Sequence, residues 1–274
     1  MTALEDLADW PVPAAAAAVV GPSGILDRHG DVDRPFALAS VTKPLVARAA
    51  HVAIEEGMVD LDTPAGPPGS TVRHLLAHTS GLAMRSDDLI ATPGARRVYS
   101  NEGFRVLAEV IEREFGESFT EYLREAVFEP LEMGSSTLVG GAAAAGYGGE
   151  SSVSDLSAFA LELLRPRLVS AEMAAEATTV QFPGLDGVLP GFGTQRPNDW
   201  GLGFEIRDGK SPHWTGSANS GATYGHFGQS GTFLWVDPAA DLALVVLTDR
   251  DFGDWTRELW PALSDGVLRE FAAH

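Results

Sequence analysis

The sequence contains no cysteine, which removes disulfides, thiolate metal sites and cysteine nucleophiles together. Any reactive group therefore has to be oxygen, amine or imidazole. Positive charge is scarce as well: 19 Lys and Arg stand against 38 Asp and Glu, a formal net charge of −19 over 274 residues. Binding to nucleic acid or to an anionic membrane depends on clustered Lys and Arg, so neither partner is expected. Long apolar runs are missing too. The longest, 14–20, has seven residues, against the roughly 20 that a membrane helix needs. The N-terminal MTALEDLADWPVP carries Glu5, Asp6 and Asp9 where a secretory signal would carry Lys or Arg, so a cytoplasmic location is the expectation.

What remains is globular in composition, with 45% hydrophobic and 21% charged residues, enough apolar side chain to bury a sizeable core. Three short runs near the N-terminus, AAAAAVVG, GILDRHG and PFALA, are separated by glycine-containing turns and read as strands. Residues 41–56 read as a helix ending at Gly57; between Pro44 and Ile54 only Arg48 and His51 are polar, so this helix should be buried. A second helix spans 102–115, with Phe104, Leu107, Ala108, Ile111 and Phe115 on one face and Gly116 after it. Further helices are expected at 118–129 and 154–165, and loops at 83–97, 140–149 and 166–199.

From Trp200 the pattern turns to strands: GLGFEI, then TFLWVD and DLALVVLTD joined through Pro238-Ala239-Ala240. The last twenty residues read as a helix interrupted or restarted at Pro261. Strands thus cluster at both ends and helices between them. The expected fold is α+β, a central antiparallel sheet built from both chain ends and flanked by helices, plus a largely helical insertion. Residues 1–39 and 200–274 would form the sheet part and 40–199 the helical part of one catalytic domain, with a ligand site in the cleft between them.

Three clusters carry chemistry. Ser40-Val41-Thr42-Lys43 opens the buried helix, and residues three apart lie on one helical face. A buried, neutral lysine there could deprotonate the serine; an N-cap serine followed by a solvated lysine is the plainer alternative. Tyr99-Ser100-Asn101 precedes the second helix, where Ser100 or Asn101 serves as cap. A phenol bonded to a cationic lysine would be stabilised as phenolate and could act as base. His226-Phe227-Gly228-Gln229 enters a strand, and a glycine at such a place marks close approach by another backbone or a ligand.

Other patterns carry less. His74 and His78 lie four apart, but Leu75 stands where the zinc-protease pattern needs a glutamate, so no metal and no cofactor are expected. No G-x-S-x-G is present, and Gly201-Leu202-Gly203 lacks the third glycine of a dinucleotide loop. Trp200 or Trp214 could line the cleft.

The order S-x-x-K, then Y-S-N 59 residues on, then H-x-G 127 residues further, resembles the serine β-lactamase and penicillin-binding-protein superfamily. The Tyr-x-Asn form is most similar to the class C β-lactamase branch with its esterases and DD-peptidases. LLAHTSGL at 75–82, GGESSVSDLSAFA at 148–160 and WGLGF at 200–204 fit the same branch. The resemblance implies Ser40 as acylated nucleophile, Lys43 as its proton partner and Tyr99 as base or shuttle. It further implies that Asn101 bonds substrate or Lys43, that His226 stands at the third motif, and that Gly228 lets substrate lie against the strand. The N–H groups of Ser40 and Gln229 would form the oxyanion hole. The implied activity is hydrolysis of a small ester or amide, β-lactams included, through a Ser40 acyl-enzyme. The alternatives are a DD-peptidase or D-amino-acid peptidase, and a non-catalytic binding protein of the same fold. A histidine in place of the motif's lysine, on an acidic chain, shifts weight toward neutral esters.

Overall fold

The computed structural model describes residues 2–272. After a short 3₁₀ turn at Ala3–Asp9, the chain forms β1 (Ala15–Gly21) and β2 (Gly24–His29), the two strands expected near the N-terminus. β1 pairs with β2 on one side, and its other neighbour comes from far along the chain. It lies antiparallel to a strand more than 220 residues later, with Ala15 opposite Thr248 and Val20 opposite Ala243.

That late region supplies β8 (Glu205–Ile206), β9 (Tyr224–Gly228), β10 (Thr232–Asp237) and β11 (Leu242–Thr248); β3 (Phe36–Ala37), β4 (Thr137–Leu138), β5 (Gly149–Ser151), β6 (Gly187–Leu189) and β7 (Gly193–Gln195) are short strands in between. The main sheet runs β2-β1-β11-β10-β9-β8, antiparallel throughout. Side chains alternate between two cores. Ala16, Ala18, Val20, Leu234, Val236, Val245 and Leu247 face one core, and Ala17, Val19, Phe233, Trp235, Leu244 and Val246 face the other. Burial on both faces is why these strands read as unbroken apolar runs rather than alternating ones.

On the first face lies α1 (Thr42–Glu55), whose residues 42–50 are all buried, as its sequence demanded. Beyond it come α2 (Val72–Leu76), α3 (Asn101–Phe115), α4 (Phe119–Leu123), α5 (Val153–Leu164) and α6 (Ala171–Ala177). The second face is covered by α7 (Asp254–Phe271) and the N-terminal turn. No helix among the described residues is long and apolar enough to cross a membrane.

Four expectations are corrected. The helix expected over 118–129 is α4 followed by a wider π turn at Arg124–Phe128. α7 continues through Pro261, because the buried Trp260, Leu263 and Val267 hold it on the sheet despite the lost hydrogen bond. Gly201-Leu202-Gly203 is a turn rather than a strand: Gly203 has φ +90°, and a Cβ there would lie 2.1 Å from the Ala47 Cβ of α1. The loops at 140–149 and 166–199 hold short elements, including β5 (Gly149–Ser151), α6, and the hairpin of β6 (Gly187–Leu189) with β7 (Gly193–Gln195).

Candidate active site

Ser40 sits one residue ahead of the expected helix start, in a 3₁₀ turn at Ala39–Val41 that feeds α1. Ala39 holds φ +46°, a conformation that non-glycine residues adopt at a cost and that clusters at functional sites. The turn is fastened from the sheet: the Thr232 hydroxyl donates to the Leu38 carbonyl at 2.9 Å and Ser230 to the Ala37 carbonyl at 2.6 Å. Gly228 belongs to the same contact. A Cβ on it would lie 2.2 Å from the Leu38 oxygen and 2.4 Å from Thr232 Oγ1. The absent side chain therefore makes room for the turn that carries Ser40.

The Lys43 amine is fully buried and 3.5 Å from Ser40 Oγ. It donates to Asn101 Oδ1 at 2.6 Å and to the Gly146 carbonyl at 2.7 Å, both neutral acceptors. Burial holds its pKa well below the ordinary lysine value. Its three polar neighbours, Ser40 Oγ, Asn101 Oδ1 and Gly146 O, include no carboxylate. In the neutral form the amine would keep two N–H bonds for Asn101 and Gly146 and a lone pair for Ser40.

The Tyr99 hydroxyl donates to Ser40 Oγ at 2.7 Å. It makes no bond to Lys43, whose nitrogen sits 4.6 Å over the face of the ring instead. Burial raises the phenol's pKa, a push only partly opposed by the bond to Ser40. The phenolate read from the sequence is thus corrected to a neutral phenol. Ser100 Oγ accepts the Gly103 N–H at 2.9 Å and is the cap of α3, which frees Asn101 to face Lys43.

His226 is buried, and its Nδ1–H donates to its neighbour's carbonyl, Phe227 O, at 2.6 Å. Nε2 is then the unprotonated nitrogen, 3.4 Å from the Tyr99 hydroxyl. Burial is the largest cause lowering the imidazole pKa to about 3, so the ring is neutral at neutral pH. Gln229 lies at the end of β9, exposed, its carbonyl accepting the Phe252 N–H at 2.7 Å.

Ser40, Tyr99, Asn101, His226 and Gln229 line one cavity of about 500 Å³. Leu189, Pro190, Trp200 and Phe227 supply an apolar wall, and Met84, Arg85, Glu102 and Tyr147 also border it. Trp214, the other tryptophan considered for the cleft, is in the second core, where its Nε1–H donates to the buried Glu205 carboxylate at 2.9 Å. His74 and His78 do not share a face toward one ion. His74 Nδ1 meets the Thr71 hydroxyl at 2.9 Å, whereas His78 Nδ1 accepts the Ser100 N–H at 3.1 Å.

Sequence reasoning missed Gly146. Its carbonyl reaches Lys43 because the glycine packs against Asn101, 3.1 Å from where a Cβ would sit. The only sign was a Gly/Ala stretch that reads as loop.

A beta-lactamase family profile matches residues 8–267. A crystal structure described as a beta-lactamase from Mycobacterium bovis is 72% identical, covering 99% of this chain and 100% of that one at a TM-score of 0.99. EstCE1, described as a hydrolase with promiscuous acyltransferase activity, shares the fold at a TM-score of 0.79 and 18% identity over 97% of this chain and 96% of that one. Penicillin-binding protein 4* of Bacillus subtilis (strain 168) is 31% identical across a stretch that covers 36% of this chain and 29% of that relative. The sheet-and-helix architecture is therefore the β-lactamase/transpeptidase fold, and with a family profile spanning nearly its whole length, the chain belongs to the beta-lactamase family of serine hydrolases.

Proposed function

We propose that the protein is a serine hydrolase that cleaves small esters or amides, esters preferred, through an acyl-enzyme on Ser40. The sheet part, 1–39 and 200–274, and the helical part, 40–199, act as one catalytic domain with the site between them. One observation carries this reading: Ser40 Oγ receives the Tyr99 hydroxyl at 2.7 Å and lies 3.5 Å from a buried lysine bonded only to neutral acceptors.

In the first step Oγ attacks the substrate carbonyl while its proton passes to the Lys43 lone pair. The oxyanion is held by the N–H groups of Ser40 and Gln229, neither of which donates to another protein group among the described residues. As the tetrahedral intermediate collapses, Tyr99 gives its proton to the leaving oxygen; the phenolate then regains a proton from solvent while Lys43 releases its own to solvent. Water then takes the alcohol's place, and the same groups run the transfers in reverse to release the acid and free Ser40.

Ester preference rests on electrostatics and lining. A neutral His226 offers no charge to a β-lactam or peptide carboxylate, the chain carries −19, and one wall of the cavity is apolar. Hydrolysis of a β-lactam is the second reading, favoured by the likeness to the M. bovis protein.

Intact-mass measurement after treatment with a fluorophosphonate tests the core of the reading. A single adduct that disappears in Ser40→Ala is expected; an unlabelled protein would overturn it. A panel of short acyl esters, a chromogenic cephalosporin and D-alanyl peptides then ranks the substrate classes, with the esters expected first.

A further inference from the structure

His78 is buried beneath the proposed site without touching the cavity, and its environment is unusual in three respects. Its backbone has φ +56°, in the left-handed region that histidine rarely occupies. Its Nδ1 accepts the Ser100 N–H, which places the ring proton on Nε2, and Nε2 has no partner among the described residues. Its ring packs against Tyr99 at 4.7 Å between centroids, tilted by 39°, and meets Trp200 edge-on at 4.6 Å. A left-handed backbone and an orphaned buried donor are both costs, and a residue that keeps both is held for something other than packing.

The bonding around Tyr99 shows what that is. The Val98 N–H donates to the His78 carbonyl at 2.8 Å, and the Ser100 N–H donates to His78 Nδ1 at 3.1 Å. The residues on both sides of Tyr99 are thus tied to one residue, whose ring also backs the phenol. We propose that His78 is the positioning residue for Tyr99, fixing the backbone on either side of it so that the hydroxyl stays on Ser40. This rests on the reading of Ser40 as the acylated nucleophile.

Nδ1 can accept the Ser100 N–H only while the imidazole is neutral. Burial keeps it so by holding its pKa well below the ordinary value, and the nearby Arg97 guanidinium acts in the same direction. The arrangement also accounts for the HTSGL stretch at 78–82, which the catalytic steps leave unused. The stretch from His78 to Met84 is the cradle of Tyr99-Ser100-Asn101: Ser100 Oγ donates to the Ala83 carbonyl at 2.7 Å and the Asn101 N–H to Met84 O at 2.9 Å.

The test measures the rate of fluorophosphonate adduct formation, with thermal melting alongside, in wild type, His78→Phe, His78→Asn, Tyr99→Phe and the double variant His78→Phe/Tyr99→Phe. Phenylalanine keeps a ring against Tyr99 and loses the acceptor. Asparagine accepts a positive φ and keeps an oxygen where Nδ1 was. His78→Phe should acylate about 10²-fold more slowly, the cost of roughly 1 Å of misplacement. His78→Asn should recover about tenfold of that loss. In the Tyr99→Phe background the His78→Phe change should add less than about threefold, because the group it positions is already gone. Should His78→Phe fail to fold, His78→Gln, whose oxygen lies beyond the Nδ1 position, replaces it in the same cycle. A wild-type rate in the acceptor-less variant, or an equal loss with and without the Tyr99 hydroxyl, would overturn the proposal. A wild type that takes no label would remove the Ser40 reading and this proposal with it.

Discussion

Gly228→Ala is the smallest change that separates the two roles open to this glycine. A Cβ would stand 2.2 Å from Leu38 O and 2.4 Å from Thr232 Oγ1, whereas ordinary contact begins at 3.4 Å. About 1 Å of opening is therefore needed, and the atom that must yield is backbone of the segment leading into Ala39 and Ser40. Overpacking of this kind costs about 1–3 kcal/mol, which for a chain of this size lowers Tm by a few degrees. The kinetic cost should be larger, since about 1 Å of displacement at a reacting atom is worth roughly 10²-fold in rate. Acylation followed by intact mass reads that rate, and Gly209→Ala, with nothing within 4 Å of its added Cβ, is the control expected to match wild type. If Gly228→Ala acylates at the wild-type rate while KM for an ester rises, the glycine serves the substrate and the turn argument is refuted.

Three further outcomes follow from the same geometry. Tyr99→Phe should slow acylation of Ser40 by about 10²–10⁴-fold, the usual worth of a positioned proton-transfer group; an unchanged rate would make the tyrosine structural. His51 and His226 have folded pKa values of about 3 against an ordinary 6.5. The unfolded chain therefore binds protons first as the pH falls, and stability should drop from about pH 6.5 toward pH 3. The urea midpoint at pH 7 and at pH 4.5 checks this, with His51→Gln expected to flatten the slope and an unchanged slope counting against the buried neutral ring. In a p-nitrophenyl ester series from acetate to hexanoate, the apolar wall of the cavity should raise kcat/KM with each carbon. Full burial of a methylene is worth about 0.8 kcal/mol, or roughly fourfold, so about twofold per carbon is expected and a flat series would contradict it.

The proposed nucleophile cluster was legible because the spacing that matters is local or carried by order. Ser40 and Lys43 are one helical turn apart, and the distinctive tyrosine and histidine follow in sequence. What could not be read were contacts made by backbone or by residues whose types carry no signal. Gly146 contributes a carbonyl, which every residue possesses, from a stretch whose composition reads as loop. The protonation of Tyr99 depends on where Lys43 sits relative to its hydroxyl, which spacing does not give. In the fold, both ends of the sheet were visible as apolar runs. The turn at Gly201–Gly203 was not, because the close approach of Ala47 that requires glycine there comes from a helix more than 150 residues earlier.

Two buried lysines show why the identity of a neighbour matters more than burial. Lys210 is as enclosed as Lys43, but it is paired with the Glu205 carboxylate and also donates to the carbonyls of Asp199 and Ile206. Desolvation lowers its pKa while Glu205 raises it, and the carboxylate favours the charged ammonium. Lys43 has Asn101 Oδ1 and Gly146 O in the corresponding places, with no carboxylate to oppose desolvation. Asn101→Asp makes the two alike with no added heavy atom. A carboxylate at 2.6 Å from the amine favours the charged form, by about 1–3 pKa units on the usual scale of such pairs. Wherever the pH lies below the raised pKa, each unit removes a factor of ten from the neutral amine. In wild type the acylation rate should fall on the acid side as Lys43 gains its proton, at a pH well below the ordinary lysine value. In Asn101→Asp that limb should move upward by about one to three pH units, leaving acylation below the raised pKa slower by about 10–10³-fold and recovering as the pH is raised. Asn101→Ala, which removes the acceptor without adding charge, should leave the limb where it is. Should the acid limb of Asn101→Asp coincide with that of wild type, Lys43 would not be the base, and the proton of Ser40 would have to leave by way of Tyr99.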